Sequence, residues 1–349
     1  MIDLKKLIEE IRKKEFRFVS TKAKNKFFKS VLPTVQISHS LDNVFIFCSP
    51  RSGSTWILEL LLKTAKYRAV FEPIPSLEKA LEKYGTPRLI LSEDAEDHEF
   101  EHYFNGLLKP NFLNKKKWRY TDLNSRNIHL FTKGIAIKTT RGNFCVDFIE
   151  KNTEQNMRIV FLVRNPFAVI KSRITRSTAH NGRLKNKFSY NLKGLFASDD
   201  VFFKDYFGKY EPLLVKVKDD ITEHAFMWCI ENKHILDRIG EKSWLMLAYE
   251  NLYTDFDFEY KKLCDYIGIP VRRNIQKHKN IKSTTSFSGK EADFIESSVF
   301  DDSQIFLRDW KDFFTEKNIA DVMEILGDFE IDYKKLLKER SRSLVDLPG

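Results

Sequence analysis

Residues 44–61 read VFIFCSPRSGSTWILELL. Five apolar residues, rich in β-branched and aromatic side chains, lead into a turn holding Pro50 and Gly53, and apolar residues at helical spacing follow from Ser54. A short apolar run without polar alternation fits a strand buried on both faces, as strands of parallel sheets are. At the start of the following helix, amides with no partner inside the helix point outward and the dipole favours negative charge, so the turn is a ready phosphate cradle. Gly53 permits close approach, Ser52, Ser54 and Thr55 offer hydroxyl donors, and Arg51 puts a permanent positive charge at the mouth. The same letters also suit an ordinary strand-to-helix turn with serine as N-cap. The loop departs from GxxxxGKS/T: its basic residue precedes the glycine, and no acidic strand end stands out as a magnesium holder. A nucleotide with a short 5′ group fits this pattern better than a metal-bound triphosphate.

Outward from this unit, similar apolar runs at Arg68–Phe71, Ile135–Lys138, Ile159–Val163 and Trp244–Ala248 join Val44–Cys48 as predicted strands. Helical spacing predicts helices at Ser54–Lys66, Cys145–Asn152, Pro166–Ser177 and Thr222–Ile239 between them, and further helices at 2–16, Phe256–Ile267 and Glu316–Lys338, the last N-capped by Thr315. Strands alternating with helices predict an α/β fold of P-loop nucleotide-binding type, with a central parallel sheet of about five strands flanked by helices on both faces. The 349 residues divide into a basic helical arm (1–40), one domain (41–340) and a short tail (341–349). Less regular stretches near 75–130 and 178–218 read as insertions at strand ends, where lids and substrate pockets form, or equally as decoration.

With 42% hydrophobic and 31% charged residues the chain can bury a full core, which excludes disordered and collagen-like classes. Cys48, Cys145, Cys229 and Cys264 lie far apart, signalling neither a disulfide framework nor a cysteine zinc site, and point to a reducing cytoplasm. The scattered histidines suggest no metal site. The opening MIDLKKLIEEIRKKEF lacks the apolar core of a signal peptide, and no apolar run approaches the roughly 18 residues that span a bilayer. The expectation is a soluble protein, with peripheral membrane contact through the basic arm left open. The net charge of +10 points to an anionic partner.

A second informative stretch is RIVFLVRNPFAVIKSR, residues 158–173. Pro166 suits the first turn of a helix, so Arg164 closes a strand while Ser172 lies almost two turns into the helix. Both converge on one phosphate if the helix packs back across the sheet edge. Otherwise Arg164 is a surface ion-pair partner and Ser172 a solvated helix residue.

Together, PRSGSTW (Pro50–Trp56) and RNPFAVIKS (Arg164–Ser172) resemble the 5′-phosphosulfate loop and the 3′-phosphate motif of the sulfotransferase family, whose donor is 3′-phosphoadenosine 5′-phosphosulfate (PAPS). Residues 244–270 resemble the family's Tyr-Glu-Asp-Leu strand end and helix, with Asn251 in place of Asp, and RDWKDFFT (308–315) its late Asp-Trp-Lys segment. The resemblance runs in patches from about residue 43 to residue 338. It implies donor binding by Arg51, Ser52, Gly53, Ser54, Thr55, Arg164 and Ser172, with Trp56 and Tyr249 against adenine; the alternative for Trp56 is core packing. Arg51 stabilises the leaving group, and Lys138 contacts the sulfuryl oxygens or is a solvated strand end. Thr140 stands where cytosolic members carry a histidine base and cannot replace it. Glu72, in AVFEPI (69–74), resembles the proposed base of carbohydrate-type members; its alternative is a capping carboxylate or one paired with Arg68. His180 is a further place to seek a base. The family's Arg-Lys-Gly loop is missing, with Lys282, Lys290 and Arg308 in its region.

These implications amount to sulfuryl transfer to an acceptor hydroxyl or amine, the Glu72 segment leaning towards a carbohydrate or glycolipid. The acceptor partner is thus a small molecule or glycan, with no nucleic acid and no metal. A P-loop kinase would need the lysine and carboxylate that are missing here, and a nucleic-acid module would need a recognisable binding signature. The charge distribution agrees. Residues 1–40 hold ten Lys/Arg against four acids, residues 271–290 hold six and no acid, and the remainder sums to −2. The second cluster falls where the family closes its 3′-phosphate site.

Overall fold

A computed structural model of the chain describes residues 36–74, 89–109, 131–179, 192–197, 200–273, 275–278 and 310–338. Among these the strands are β1 (Gln36–Ile37), β2 (Asn43–Cys48), β3 (Tyr67–Phe71), β4 (Phe131–Thr132), β5 (Gly134–Thr139), β6 (Met157–Val163) and β7 (Leu245–Ala248). Five of them form a parallel sheet in the order β3-β5-β2-β6-β7, and β1 pairs with β4 in a small separate ladder.

The apolar runs divide by parity. Phe45, Phe47, Val70, Ile135, Ile137, Ile159, Phe161, Val163, Met246 and Ala248 enter one core. Val44, Ile46, Cys48, Ala69, Phe71, Ala136, Val160, Leu162, Leu245 and Leu247 enter the other. Successive side chains of a strand point to opposite faces, so a strand covered on both sides shows no alternation in sequence.

Among the described residues the α-helices are α1 (Ser54–Thr64), α2 (His98–Leu107), α3 (Val146–Asn152), α4 (Pro166–Ala179), α5 (Leu192–Phe196), α6 (Val201–Phe207), α7 (Asp220–Arg238), α8 (Asn251–Thr254), α9 (Phe256–Tyr266), α10 (Glu316–Asp328) and α11 (Tyr333–Lys338). The second core includes residues of α1 and α9, the first those of α2, α3, α4, α7 and α10. None of the described helices is long and apolar enough to cross a membrane. All four cysteines are buried free thiols.

Three local expectations change. The predicted helix Ser54–Lys66 ends at Thr64, because Ala65 turns to extended backbone and Tyr67 begins β3. Its N-cap is Gly53, not a serine, and no side chain caps it. The single predicted helix Glu316–Lys338 is two: Glu330 adopts φ 55°, and Glu330 and Ile331 donate their amides to the carbonyls of Gly327 and Leu326 at 2.8 and 2.9 Å, closing α10 before α11 starts. Thr315 does cap α10, its hydroxyl accepting from the Asn318 amide at 3.2 Å. Helix 2–16, His180, Lys282, Lys290, Arg308 and the tail lie outside the described residues.

Candidate functional site

Every strand of the central sheet runs the same way, so the residues following them collect along one edge. The register aligns Phe71 with Lys138, Phe47 with Thr139, Cys48 with Leu162 and Val163 with Ala248. Glu72, Lys138, the 49–53 loop, Arg164 and Tyr249 therefore stand in that spatial order along the C-terminal edge, where ligands of open α/β sheets bind. Neighbouring strands lie about 4.8 Å apart, which sets Glu72 roughly 10 Å from the loop.

The loop is tightly shaped. Arg51 (φ 76°) and Gly53 (φ 89°) are both left-handed, and Arg51 is one of four non-glycine residues with positive φ among those described, Glu72 (φ 47°) being another. Left-handed backbone is disfavoured for residues with a Cβ, so surrounding contacts must hold Arg51 and Glu72 in it. Ser49 and Ser52 share a buried hydroxyl hydrogen bond of 2.9 Å. Ser52, Ser54 and Thr55 are buried beneath the turn. At Gly53 the space a Cβ would need is filled by the ring of Tyr249, whose Cε2 would lie 2.3 Å away. The glycine thus admits a neighbouring ring.

The two motifs meet. Arg51 Nε donates to Ser172 Oγ at 2.9 Å, and Arg164 Nη1 donates to the Arg51 carbonyl at 3.0 Å. The Arg164 guanidinium also covers the Tyr249 ring at 4.4 Å. Asn165 fixes the turn: its side-chain oxygen accepts from the Phe167 amide at 2.9 Å and its own amide donates to Glu250 Oε1 at 3.0 Å. Burial pushes Glu250 up against the pull of Arg164. Trp56 is buried, stacked on Tyr253 at 5.2 Å with Tyr249 at its edge. Burial also pushes the Cys48 thiol at the end of β2 up to about 11, so it stays protonated near neutral pH.

On the other side of the loop, Lys138 Nζ donates to Glu72 Oε1 at 2.5 Å, both side chains being largely buried. Thr140 donates its amide to Glu72 Oε2 and its hydroxyl to Oε1, each at 2.9 Å. Lys138 also lies 4.5 Å over the Phe71 ring. The ion pair found at Glu72 is thus with Lys138, while Arg68 donates to the Lys109 carbonyl at 3.1 Å. Thr140 thus holds the Glu72 carboxylate beside it through both its amide and its hydroxyl.

Sequence reading passed over Arg173. It packs at 0% exposure against Glu231 and the Pro50 carbonyl. Its signal was there: Arg173 falls three and four residues after Ile170 and Val169, on the apolar face of α4.

A family model described as a sulfotransferase domain matches residues 41–338. No curated protein matches the chain. Similar solved structures include the sulfotransferase domain from the Synechococcus PCC 7002 olefin synthase, at 18% identity over 83% of this chain and 94% of that one (TM-score 0.45). Another is mouse sulfotransferase SULT7A1 complexed with PAP, at 15% identity over 89% and 93% (TM-score 0.42). A third is a sulfotransferase from Alicyclobacillus acidocaldarius, at 12% identity over 83% and 99% (TM-score 0.34). Matched by the family model over well more than half its length, the chain belongs to the sulfotransferase domain family.

Proposed function

We propose that the chain transfers a sulfuryl group from PAPS to an acceptor hydroxyl or amine by in-line displacement, with a carbohydrate or glycolipid as acceptor class. The observation that carries this reading is the contact of Arg51 with Ser172, which joins two motifs more than a hundred residues apart in sequence at one strand edge. The residues fit a doubly phosphorylated nucleotide. A glycine-turned helix start and Arg51 suit the 5′ group, Arg164 and Ser172 the 3′-phosphate, and Trp56 and Tyr249 the base. Lys282, Lys290 and Arg308 are the candidates to complete the 3′ site.

The donor supplies an activated sulfuryl group and a nucleotide leaving group. Glu72 accepts the proton as the acceptor oxygen or nitrogen bonds to sulfur, and Lys138, its ion partner, faces the sulfuryl oxygens. The bond from sulfur to the 5′-phosphate oxygen breaks, and Arg51 offsets the charge left on that oxygen. Four reduced cysteines suit a cytoplasmic setting. The domain is proposed to span 41–340, with acceptor contacts drawn from the segments near 75–130 and 178–218. The arm 1–40 meets a membrane or an acidic partner.

Calorimetry tests the donor assignment. Adenosine 3′,5′-bisphosphate should bind much more tightly than 5′-AMP, and equal affinity overturns the roles of Arg164 and Ser172. A transfer assay with labelled donor against carbohydrate, lipid, phenol and peptide acceptors, with products read by mass spectrometry, identifies the acceptor.

A further inference from the structure

A loop can aim its amides at an anion only if its carbonyls turn the other way, and carbonyls turned into the protein need donors. Two consecutive carbonyls of the 49–53 loop are met by arginines. That of Arg51 accepts from Arg164. That of Pro50 accepts from Arg173 Nε at 3.3 Å and Nη2 at 3.2 Å. Arg173 Nη2 also donates to Glu231 Oε2 at 2.7 Å, and neither side chain is more than 2% exposed. Glu231 belongs to α7, and its backbone carbonyl accepts from Asn143 Nδ2 at 2.7 Å, tying the pair to the segment after β5.

We propose that Arg173, oriented by Glu231, is a positioning residue for the phosphate loop: it holds the Pro50 carbonyl away from the anion side and so fixes the amides and Arg51 that receive the nucleotide's 5′ group. A buried ion pair adds little stability over apolar side chains of the same size, so stability alone does not account for it. A guanidinium can serve a carboxylate and a carbonyl at once because its donors form a planar fork. Arg173 also follows Ser172, so α4 grips the loop twice, its backbone through Arg173 and the Arg51 side chain through Ser172. The inference rests on the reading of this loop as the 5′-group site.

The test is the double variant R173M/E231M, which removes both buried charges together. Affinities for adenosine 3′,5′-bisphosphate and adenosine 3′-phosphate are measured by calorimetry, and their ratio isolates the contribution of the 5′-phosphate. In the variant that ratio should fall about tenfold or more, since charge-assisted hydrogen bonds are the strong ones. Turnover should fall about 100-fold with acceptor KM little changed, as expected of a misplaced reacting group. Arg173→Lys keeps the ion pair but loses the fork and should give an intermediate ratio; it decides by the same measurement if the double variant does not fold. A variant with lowered Tm but wild-type ratio and turnover overturns the positioning role. A wild-type protein with no 5′-phosphate contribution overturns the donor reading and this inference with it.

Discussion

Gly53→Ala is expected to damage the protein through two separable costs. The first is backbone: at φ 89° an alanine sits in the left-handed region, which costs roughly 1–2 kcal/mol. The second is steric. The new Cβ would lie 2.3 Å from Tyr249 Cε2 and 2.4 Å from Cδ2, where ordinary contact begins at 3.4 Å. The ring must therefore move by about 1 Å, and overpacking of this kind costs about 1–3 kcal/mol. It has little room to do so. The Tyr249 amide donates to the Val163 carbonyl at 2.9 Å, Arg164 covers the ring, and Trp56 and Tyr253 flank it. The expected loss is about 2–5 kcal/mol in urea unfolding, together with weaker bisphosphate binding because Arg164 shifts with the ring. Repeating the substitution in a Tyr249→Ala background should leave only the backbone share, a coupling of about 1–3 kcal/mol. Equal losses in both backgrounds would refute the steric reasoning, and no loss in either would refute the backbone reasoning too.

Other outcomes follow from the same site. Arg51→Ala should abolish transfer in the labelled-donor assay, and near-normal turnover would remove Arg51 from the chemistry. Glu72→Gln should lower kcat about 100-fold or more, the usual share of a general base, with little change in bisphosphate affinity; full activity would move the base elsewhere. His224 is held down to about 3 by burial and the nearby charge of Arg173. The unfolded chain therefore binds the extra proton first. The stability this histidine preserves is complete above about pH 6.5 and declines by about 1.4 kcal/mol per unit towards pH 3. Urea midpoints of the wild type should fall more steeply than those of His224→Leu across that window, and parallel profiles would exclude the effect.

The sheet was legible because VFIFC, IAI and IVFLV are short runs apolar on both parities, as doubly covered strands are, and because Pro166 and Gly53 punctuate the chain where helices begin. The break at Glu330 was not, since nothing in a glutamate announces a left-handed turn that the surrounding helix ends impose. At the site, residue types survived translation into three dimensions better than partners did. Arg51 and Ser172 come from motifs that resemble sites for different phosphates, and no spacing in the sequence announces that they touch. Nearness in sequence suggests Arg68 as an ion partner of Glu72, while the partner found, Lys138, comes from the adjacent strand. Gly53 reads as room for an anion, and the space where its Cβ would stand is bounded by the ring of Tyr249, the residue after β7. Contacts between strand ends depend on strand order, which a single sequence does not carry.

The strand order also bears on how the chain reaches its folded state. β2 is the middle strand, yet both of its neighbours, β5 and β6, are synthesised about ninety to well over a hundred residues after it begins. At ribosomal rates of about 5–20 residues per second, Val44–Cys48 waits on the order of ten seconds with neither edge paired. Uncharged and rich in Phe, Val and Ile, that pentapeptide is the kind of segment that pairs with another nascent chain. Pairing across such separations also makes folding slow. Production of the protein should accordingly be limited by aggregation of unfinished chains, and be improved by slower translation or added holdase chaperone, with the finished enzyme unaffected by either.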